Sequence, residues 1–152
     1  MLNLSLHDEA AAVAAVRSAI ALVNASDWDA AAHAIDDAER RWPALPGVLT
    51  ARCALDFRRN AIAAARRICE RALAQGGSSW ALYLLGTMEL EASRPGPPAA
   101  GVAHLREAIA RDPDLVQAWR KLARVLSKAR ATTELEQLRR DYHAQFGAAL
   151  PD

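Results

Sequence analysis

Small and large apolar residues recur along the chain at helical spacings, and a proline or glycine closes each run. The clearest run is Ala31-x3-Ile35-x2-Ala38, with Pro43 five residues after it. Residues separated by three, four and seven positions share one face of an α-helix, whereas alternating apolar positions would indicate a strand. The run therefore predicts a helix that packs through a face of small side chains and ends before the proline.

The same run recurs twice further along the chain. Its copies are Ala65-x3-Cys69-x2-Ala72, followed by Gly76-Gly77 as a helix C-cap, and Gly101-x3-Leu105-x2-Ala108-x4-Pro113. The first copy begins 34 residues after the original, and the second begins 36 residues later, with room for the two extra residues in the loop 94–98. A run that recurs at this period indicates helix-turn-helix units that bury their apolar faces by stacking.

Eight helices in four pairs are expected. The first helices of the pairs should span 8–24, 46–59, 79–93 and 114–129, and the second helices 28–41, 61–75, 98–111 and 133–146. Local end signals support these bounds: Ser26 or Asp27 before the second helix, first-turn prolines at Pro98 and Pro113, and a capping box from Thr133 to Glu136. One domain over 1–152 should hold units at about 12–45, 46–79, 80–115 and 116–149, the last acting as a cap.

The chain resembles the tetratricopeptide repeat family. The resemblance rests on the stretch from Gly101 to Pro113, continued by Trp119, Leu122, Ala123 and Leu126, which match the family's first-helix pattern of aromatic, Leu, small and large apolar residues. Leu84-Leu85-Gly86 is a weaker copy, and Arg52 and Asp56 stand where apolar residues are usual. The resemblance implies an all-α fold, a right-handed superhelix of about four helix-turn-helix repeats.

The composition of the chain narrows the classes of binding partner to expect. Hydrophobic residues make up 52% of the chain, and 19 basic residues face 18 acidic ones, for a net charge of +1. This balance gives no reason to expect nucleic acid or a membrane surface as the main partner. No apolar run approaches a membrane span, and no secretory signal opens the chain, so we expect a cytoplasmic location. Heavy use of Ala and Arg is typical of a bacterial genome rich in G and C.

The sequence contains no recognisable catalytic or metal-binding motif. Cys53 and Cys69 lie on apolar helical faces and are expected to be buried free thiols, although a disulfide within one hairpin is an alternative. The four histidines lack metal-site spacing, and the carboxylate pairs Asp36-Asp37 and Glu89/Glu91 have no His or Lys beside them. The tryptophans are expected to pack between helices. We therefore expect no cofactor, no metal and no enzymatic activity.

The resemblance also implies where a ligand would bind. In this family the first helices line a concave groove that holds extended peptides or helices. Transferred by register, the groove should be apolar at its N-terminal end and basic at its C-terminal end, and so should accept a peptide or helix of a partner protein. Its main lining residues are expected to be Val16, Ile20, Val23, Asn24, Phe57, Leu84, Met88, Gln117, Arg120 and Arg124.

Three functions compete. The favoured one is a protein-binding scaffold or adaptor, and the second is a chaperone of the type III secretion kind, which holds an apolar segment of a secreted subunit. An enzyme or nucleic-acid binder is the third. A heat-shock co-chaperone is disfavoured because Val16 and Ile20 stand where a polar carboxylate-binding residue is needed. The charge alternates between units, from −4 to +4, −2 and +3, which leaves open self-association or an interface on the basic outer face of the second unit.

Overall fold

Helical hairpins account for nearly all the secondary structure of the chain. The computed structural model describes residues 6–43, 45–92 and 99–151, and in these ranges it contains eight helices and no strand. The helices are α1 Leu6–Asn24, α2 Trp28–Arg41, α3 Pro46–Arg58, α4 Ile62–Ala74, α5 Ser79–Ala92, α6 Ala99–Arg111, α7 Val116–Lys128 and α8 Thr132–Phe146. The all-α prediction is confirmed, and each described helix end falls within about two residues of its expected position. The α5–α6 connection, with Pro98, lies outside the described residues.

Contacts divide the chain into two compact units, one up to Ala81 and one from Leu82 onwards. In the first unit, α1 packs against α2 and α3, and α3 packs against α2 and α4. The core of this unit is built around Ile35, Val48 and Leu55, which are almost fully buried together with small alanines of α1 and α2. The single domain over 1–152 stays a prediction.

The second unit has an aromatic cluster between α7 and α8. The Trp119 ring meets Tyr142 and Phe146 edge-on, with centroid distances of 5.5 Å and 6.2 Å. Trp119 Nε1 donates a hydrogen bond to the Pro113 carbonyl oxygen over 2.8 Å. Leu105 and Leu122 complete the buried cluster. Trp119 therefore packs between helices, as the sequence predicted.

Three of the hairpin turns share the same backbone conformation. Ser26, Asn60 and Arg130 each adopt a left-handed conformation, with φ of 60°, 64° and 54°. In each turn the next residue's N–H donates to the carbonyl oxygen five positions back, over 2.8–3.0 Å. This is the hydrogen bond of a Schellman ending, which satisfies carbonyls at a helix C-terminus. Its recurrence in the first, second and fourth hairpins is structural evidence for a repeat.

Two of the predicted helix-start signals are wrong, although the helices begin close to the expected positions, and one cap is confirmed. Asp27 caps α2, since its Oδ1 accepts a hydrogen bond from the Ala30 N–H at 3.4 Å. The capping box at Thr133 is absent, because the left-handed turn at Arg130 places Ala131 at the cap position, and no side chain caps α8. Pro113 lies in the turn before α7 rather than in its first helical turn.

The prediction of free thiols is also wrong. Cys53 of α3 and Cys69 of α4 are both fully buried, as expected, but they form a disulfide. Their Cα atoms are 5.5 Å apart, within the usual range for a disulfide. The two residues lie at nearly equal distances from the α3–α4 turn at Asn60, so the antiparallel hairpin brings them to the same level. The buried faces of the two helices then turn them towards each other.

Candidate functional site

α7 separates its apolar and basic residues more clearly than the other helices of the second unit. Its buried side chains are Ala118, Trp119, Leu122 and Leu126. Arg120, Arg124 and Lys128 follow one another at intervals of four and therefore share the opposite face. The buried face holds α7 on the unit and so fixes the backbone positions from which the three cations extend.

A cleft opens beside this row, and we call it the basic cleft. Its volume is about 270 Å³. Residues of α7, α8 and the segment after α8 line it: Arg120, Ala123, Arg124, Ser127, Lys128, Leu135, Arg139, Leu150 and Pro151. Leu150 and Pro151 form one wall of the cleft. Gly147 makes this wall possible, because its φ of +67° ends α8 in the left-handed conformation and turns the chain. Leu150 then packs against the core of the unit and fixes the wall.

Three cations of the basic cleft have no ion-pair partner among the described residues. Arg124, Lys128 and Arg139 are exposed and form no ion pair or hydrogen bond with another described residue. Arg120 is half-buried at the side of the cleft. No carboxylate is among the described residues that line it. A concave site lined by one sign of charge concentrates counter-ions, so this cleft favours an anionic group.

A second cleft, which we call the apolar cleft, lies in the first unit between α1 and the start of α3. Its volume is about 620 Å³, and it is lined by Glu9, Ala12, Val13, Val16, Arg17, Leu45, Pro46 and Gly47. The Val13 side chain is 52% exposed. Five predicted groove residues belong to this unit, and only Val16 lines the cleft. Ile20 and Phe57 are half-buried elsewhere, Asn24 is exposed at the end of α1, and Val23 is buried in the core.

The two residues of α5 predicted to line the groove are buried. Leu84 and Met88 are only 7% and 1% exposed, so they offer no open surface. Gly86 and Ala123 hold the same small position in α5 and α7, which makes Tyr83 and Thr87 the counterparts of Arg120 and Arg124. Tyr83 is half-buried and Thr87 is only 4% exposed, so α5 has no exposed pair equivalent to the two arginines. Gln117 is exposed on α7 but does not line the basic cleft.

Arg52 has a structural role that its sequence position did not reveal. Its side chain is 19% exposed and reaches from α3 to α2, where its Nε donates to Glu39 over 3.1 Å and its Nη2 donates to Asp36. Burial lowers the pKa of Arg52, but the hydrogen bonds to Glu39 and Asp36 outweigh it and hold the pKa above its usual value. The arginine that interrupts the apolar pattern therefore ties two hairpins together.

The α5 carboxylates also have partners, which corrects the expectation that they lack a histidine or lysine. Glu89 meets His104 of α6, with 2.8 Å between Oε2 and Nδ1, and Glu91 meets Lys121 of α7 at 3.7 Å. Both partners are distant in sequence and reach the carboxylates from neighbouring helices. Each pair joins two helices, so we assign both pairs to helix packing.

The basic outer face of the second hairpin is different in charge from the basic cleft. A cleft of about 460 Å³ there, which we call the mixed cleft, is lined by Glu39, Pro43, Leu49, Arg52, Asp56, Ala64, Arg67, Ile68 and Arg71. Burial raises the pKa of Asp56, and the nearby Arg52 and Arg59 lower it by less. Because two carboxylates lie among its cations, this surface is less selective for an anionic ligand than the basic cleft.

Other kinds of site are not seen in the described residues. No group of three or more His, Cys, Asp or Glu side chains in those ranges could hold a metal ion. No helix among them is both long enough and apolar enough to cross a membrane.

Comparison with known proteins identifies the fold. YrrB, described as "a TPR protein with an unusual peptide-binding site", superimposes with a TM-score of 0.63 over 90% of this chain and 69% of its own, at 16% sequence identity. No family model matches the sequence. No curated protein matches it either. The chain thus has the all-α fold of tetratricopeptide repeat proteins, as its sequence pattern predicted.

Proposed function

We propose that this chain is a non-enzymatic scaffold that binds a peptide or helix of a partner protein on the exposed face of its first helices. The observation that supports this most strongly is the basic cleft, which is open, has an apolar floor and presents Arg124, Lys128 and Arg139 without an ion pair to another described residue. Proteins of this fold serve protein interaction, and YrrB is described as having a peptide-binding site. The assignment of α7 to the binding face is supported by Arg120 and Arg124, which both line the basic cleft.

A secretion-type chaperone is a second candidate, and the apolar cleft favours it. A chaperone of that kind must hold an apolar segment, and Val13, Val16, Leu45 and Pro46 provide an apolar surface for one. Co-expression with a candidate secreted subunit distinguishes the two functions. A chaperone keeps an otherwise insoluble subunit in solution, and Val13→Asp abolishes that effect. An adaptor binds a partner that is soluble alone.

The disulfide has a consequence for the cellular compartment in which the protein is expected. A cytoplasmic location is what the sequence predicts, yet disulfides form and persist mainly in oxidising compartments. The Cys53–Cys69 pair is buried between two helices and is thus shielded from soluble reductants. We propose a location oxidising enough to close it. Lysing cells directly into denaturant with an alkylating agent should then leave both cysteines unlabelled, whereas reduced thiols would be exposed by unfolding and labelled.

The scaffold function is tested by photo-crosslinking from defined positions. A photoreactive amino acid at position 124 should crosslink a partner that mass spectrometry identifies, and the purified partner should then form a stoichiometric complex in calorimetry. The same amino acid at position 103, exposed on α6 and outside all three clefts, is the control. Partners captured equally from both positions, or none that binds once purified, would contradict the proposal.

A further inference from the structure

The basic cleft combines two recognition elements that differ in chemistry. Arg124 and Lys128 from α7 and Arg139 from α8 present cations at its rim. Ala123, Leu135, Leu150 and Pro151 give it an aliphatic floor. A ligand that satisfies both elements must offer an apolar side chain with acidic groups on either side. The guanidinium groups can then hold carboxylates through paired hydrogen bonds while the side chain fills the floor.

Size and lining decide between classes of anionic ligand. At about 270 Å³ the cleft is smaller than the roughly 300–1,000 Å³ of a typical small-molecule pocket. It is open at the surface, so a short piece of a longer chain can cross it. Single-stranded nucleic acid binds largely by stacking its bases on aromatic rings. Among the described residues that line the cleft there is no aromatic side chain, and the nearby Trp119 and Tyr142 are buried in the core.

We infer that the basic cleft binds an acidic, apolar segment of a partner protein, in which one large aliphatic residue is flanked by Asp or Glu. This inference rests on the proposed function, because it names the class of ligand for the same site. It selects the basic cleft over the mixed cleft, whose Glu39 and Asp56 would repel such a segment. It also separates the site from the apolar cleft, which lacks a row of cations.

The test measures binding of labelled synthetic peptides to the full chain by fluorescence anisotropy. The probe is a short peptide of alternating Glu and Leu. Two matched peptides carry Gln for every Glu or Ser for every Leu, and a single-stranded RNA of similar length is the fourth probe. The Glu/Leu peptide should bind saturably. The Gln peptide should bind at least about tenfold more weakly because it loses its charge-assisted hydrogen bonds to the arginines. The Ser peptide should bind at least about tenfold more weakly because it loses its apolar contact with the floor.

Variants then locate the site. Arg124→Glu and Arg139→Glu should each weaken binding of the Glu/Leu peptide by at least about tenfold, whereas Arg140→Glu should leave it unchanged. Arg140 is the matched control because it is exposed, adjacent to Arg139 on α8, and outside the cleft. Circular dichroism checks that each variant folds. If a charge-reversal variant does not fold, the double variant Arg124→Gln with Arg139→Gln is measured in its place.

The possible outcomes distinguish a wrong ligand class from a wrong scaffold function. Equal binding of the Gln peptide, tighter binding of the RNA, or loss of binding only in Arg67→Glu with Arg71→Glu would overturn the inferred ligand class. If the crosslinked partner binds the purified chain but is insensitive to Arg124→Glu and Arg139→Glu, the scaffold function stands and the ligand class is wrong. If no purified partner binds at all, the scaffold function itself fails.

Discussion

Gly86 of α5 and Gly101 of α6 face each other without room for a side chain between them. A Cβ atom added to Gly86 would lie 2.9 Å from the Gly101 carbonyl oxygen, and one added to Gly101 would lie 2.8 Å from Leu90 Cγ. Both distances are shorter than ordinary contacts of a Cβ atom. The small residue that the sequence pattern places in the middle of a first helix is thus explained by the close approach of the two backbones.

Enlarging a side chain at such a helix crossing should destabilise the second unit. Gly86→Leu and Ala108→Leu are each expected to lower the free energy of unfolding by about 1–3 kcal/mol, because neither site has space for added methylenes. Urea unfolding followed by circular dichroism measures the change. Ala103→Leu is the control, since Ala103 is exposed on the same helix as Ala108. Wild-type stability in both buried variants would show that the helix register is wrong.

The disulfide should stabilise the α3–α4 hairpin. Closing a loop between cysteines 16 residues apart restricts the unfolded chain and contributes about 3 kcal/mol in the chain-entropy model. Adding a reductant should therefore shift the urea midpoint of the wild type downwards. The variant Cys53→Ala with Cys69→Ala should be insensitive to reductant. Two reactive thiols in the unfolded, unreduced wild type would contradict the disulfide.

Two arginines that pair with α2 carboxylates should differ in their effect on stability. Arg52→Gln is expected to lower the free energy of unfolding by about 1–3 kcal/mol, since it leaves half-buried Glu39 without its donor. Arg40→Gln should change it by less than about 0.5 kcal/mol, because the Arg40–Asp37 pair is 72% and 68% exposed. Chemical unfolding of both variants in one buffer makes the comparison. Equal effects would show that Arg52 does not tie α3 to α2.

Asp56 should make the protein less stable as pH rises. Burial raises its pKa in the folded state above the ordinary value of 3.8, so the folded chain holds this proton more tightly than the unfolded chain. The free energy of unfolding therefore falls as pH rises from the unfolded pKa through the raised folded pKa. The variant Asp56→Asn has no carboxyl group at this position, so its free energy of unfolding does not fall for this reason. Its stability relative to the wild type should increase between about pH 3 and about pH 7, and a constant difference would contradict the assignment.

Local patterns predicted the helices well because spacing and end residues act over a few positions. The run from Ala31 to Pro43 needs only neighbouring residues to specify α2 and its buried face. The Cys53–Cys69 bond, the Arg52–Glu39 bridge and the Glu89–His104 pair depend on how helices meet, which no single run records.

The candidate site was predicted only in part. Arg120 and Arg124 line one cleft because four-residue spacing fixes a helical face, and their role in binding stays a prediction. Leu84 and Met88 were misplaced because a run of apolar residues in α5 hides which one is buried. Arg139, Leu150 and Pro151 were missed because they reach the cleft from α8 and the turn at Gly147.

The central claim is that a partner segment binds in the basic cleft. Amide NMR spectra of the chain, recorded during titration with the crosslinked segment of the identified partner, test it most directly. The account predicts that the largest shift changes fall in α7, the first half of α8 and residues 147–151, and that Arg139→Glu removes them while Arg140→Glu does not. Changes concentrated instead in the first half of α1 with residues 45–47, or in α4, would contradict it.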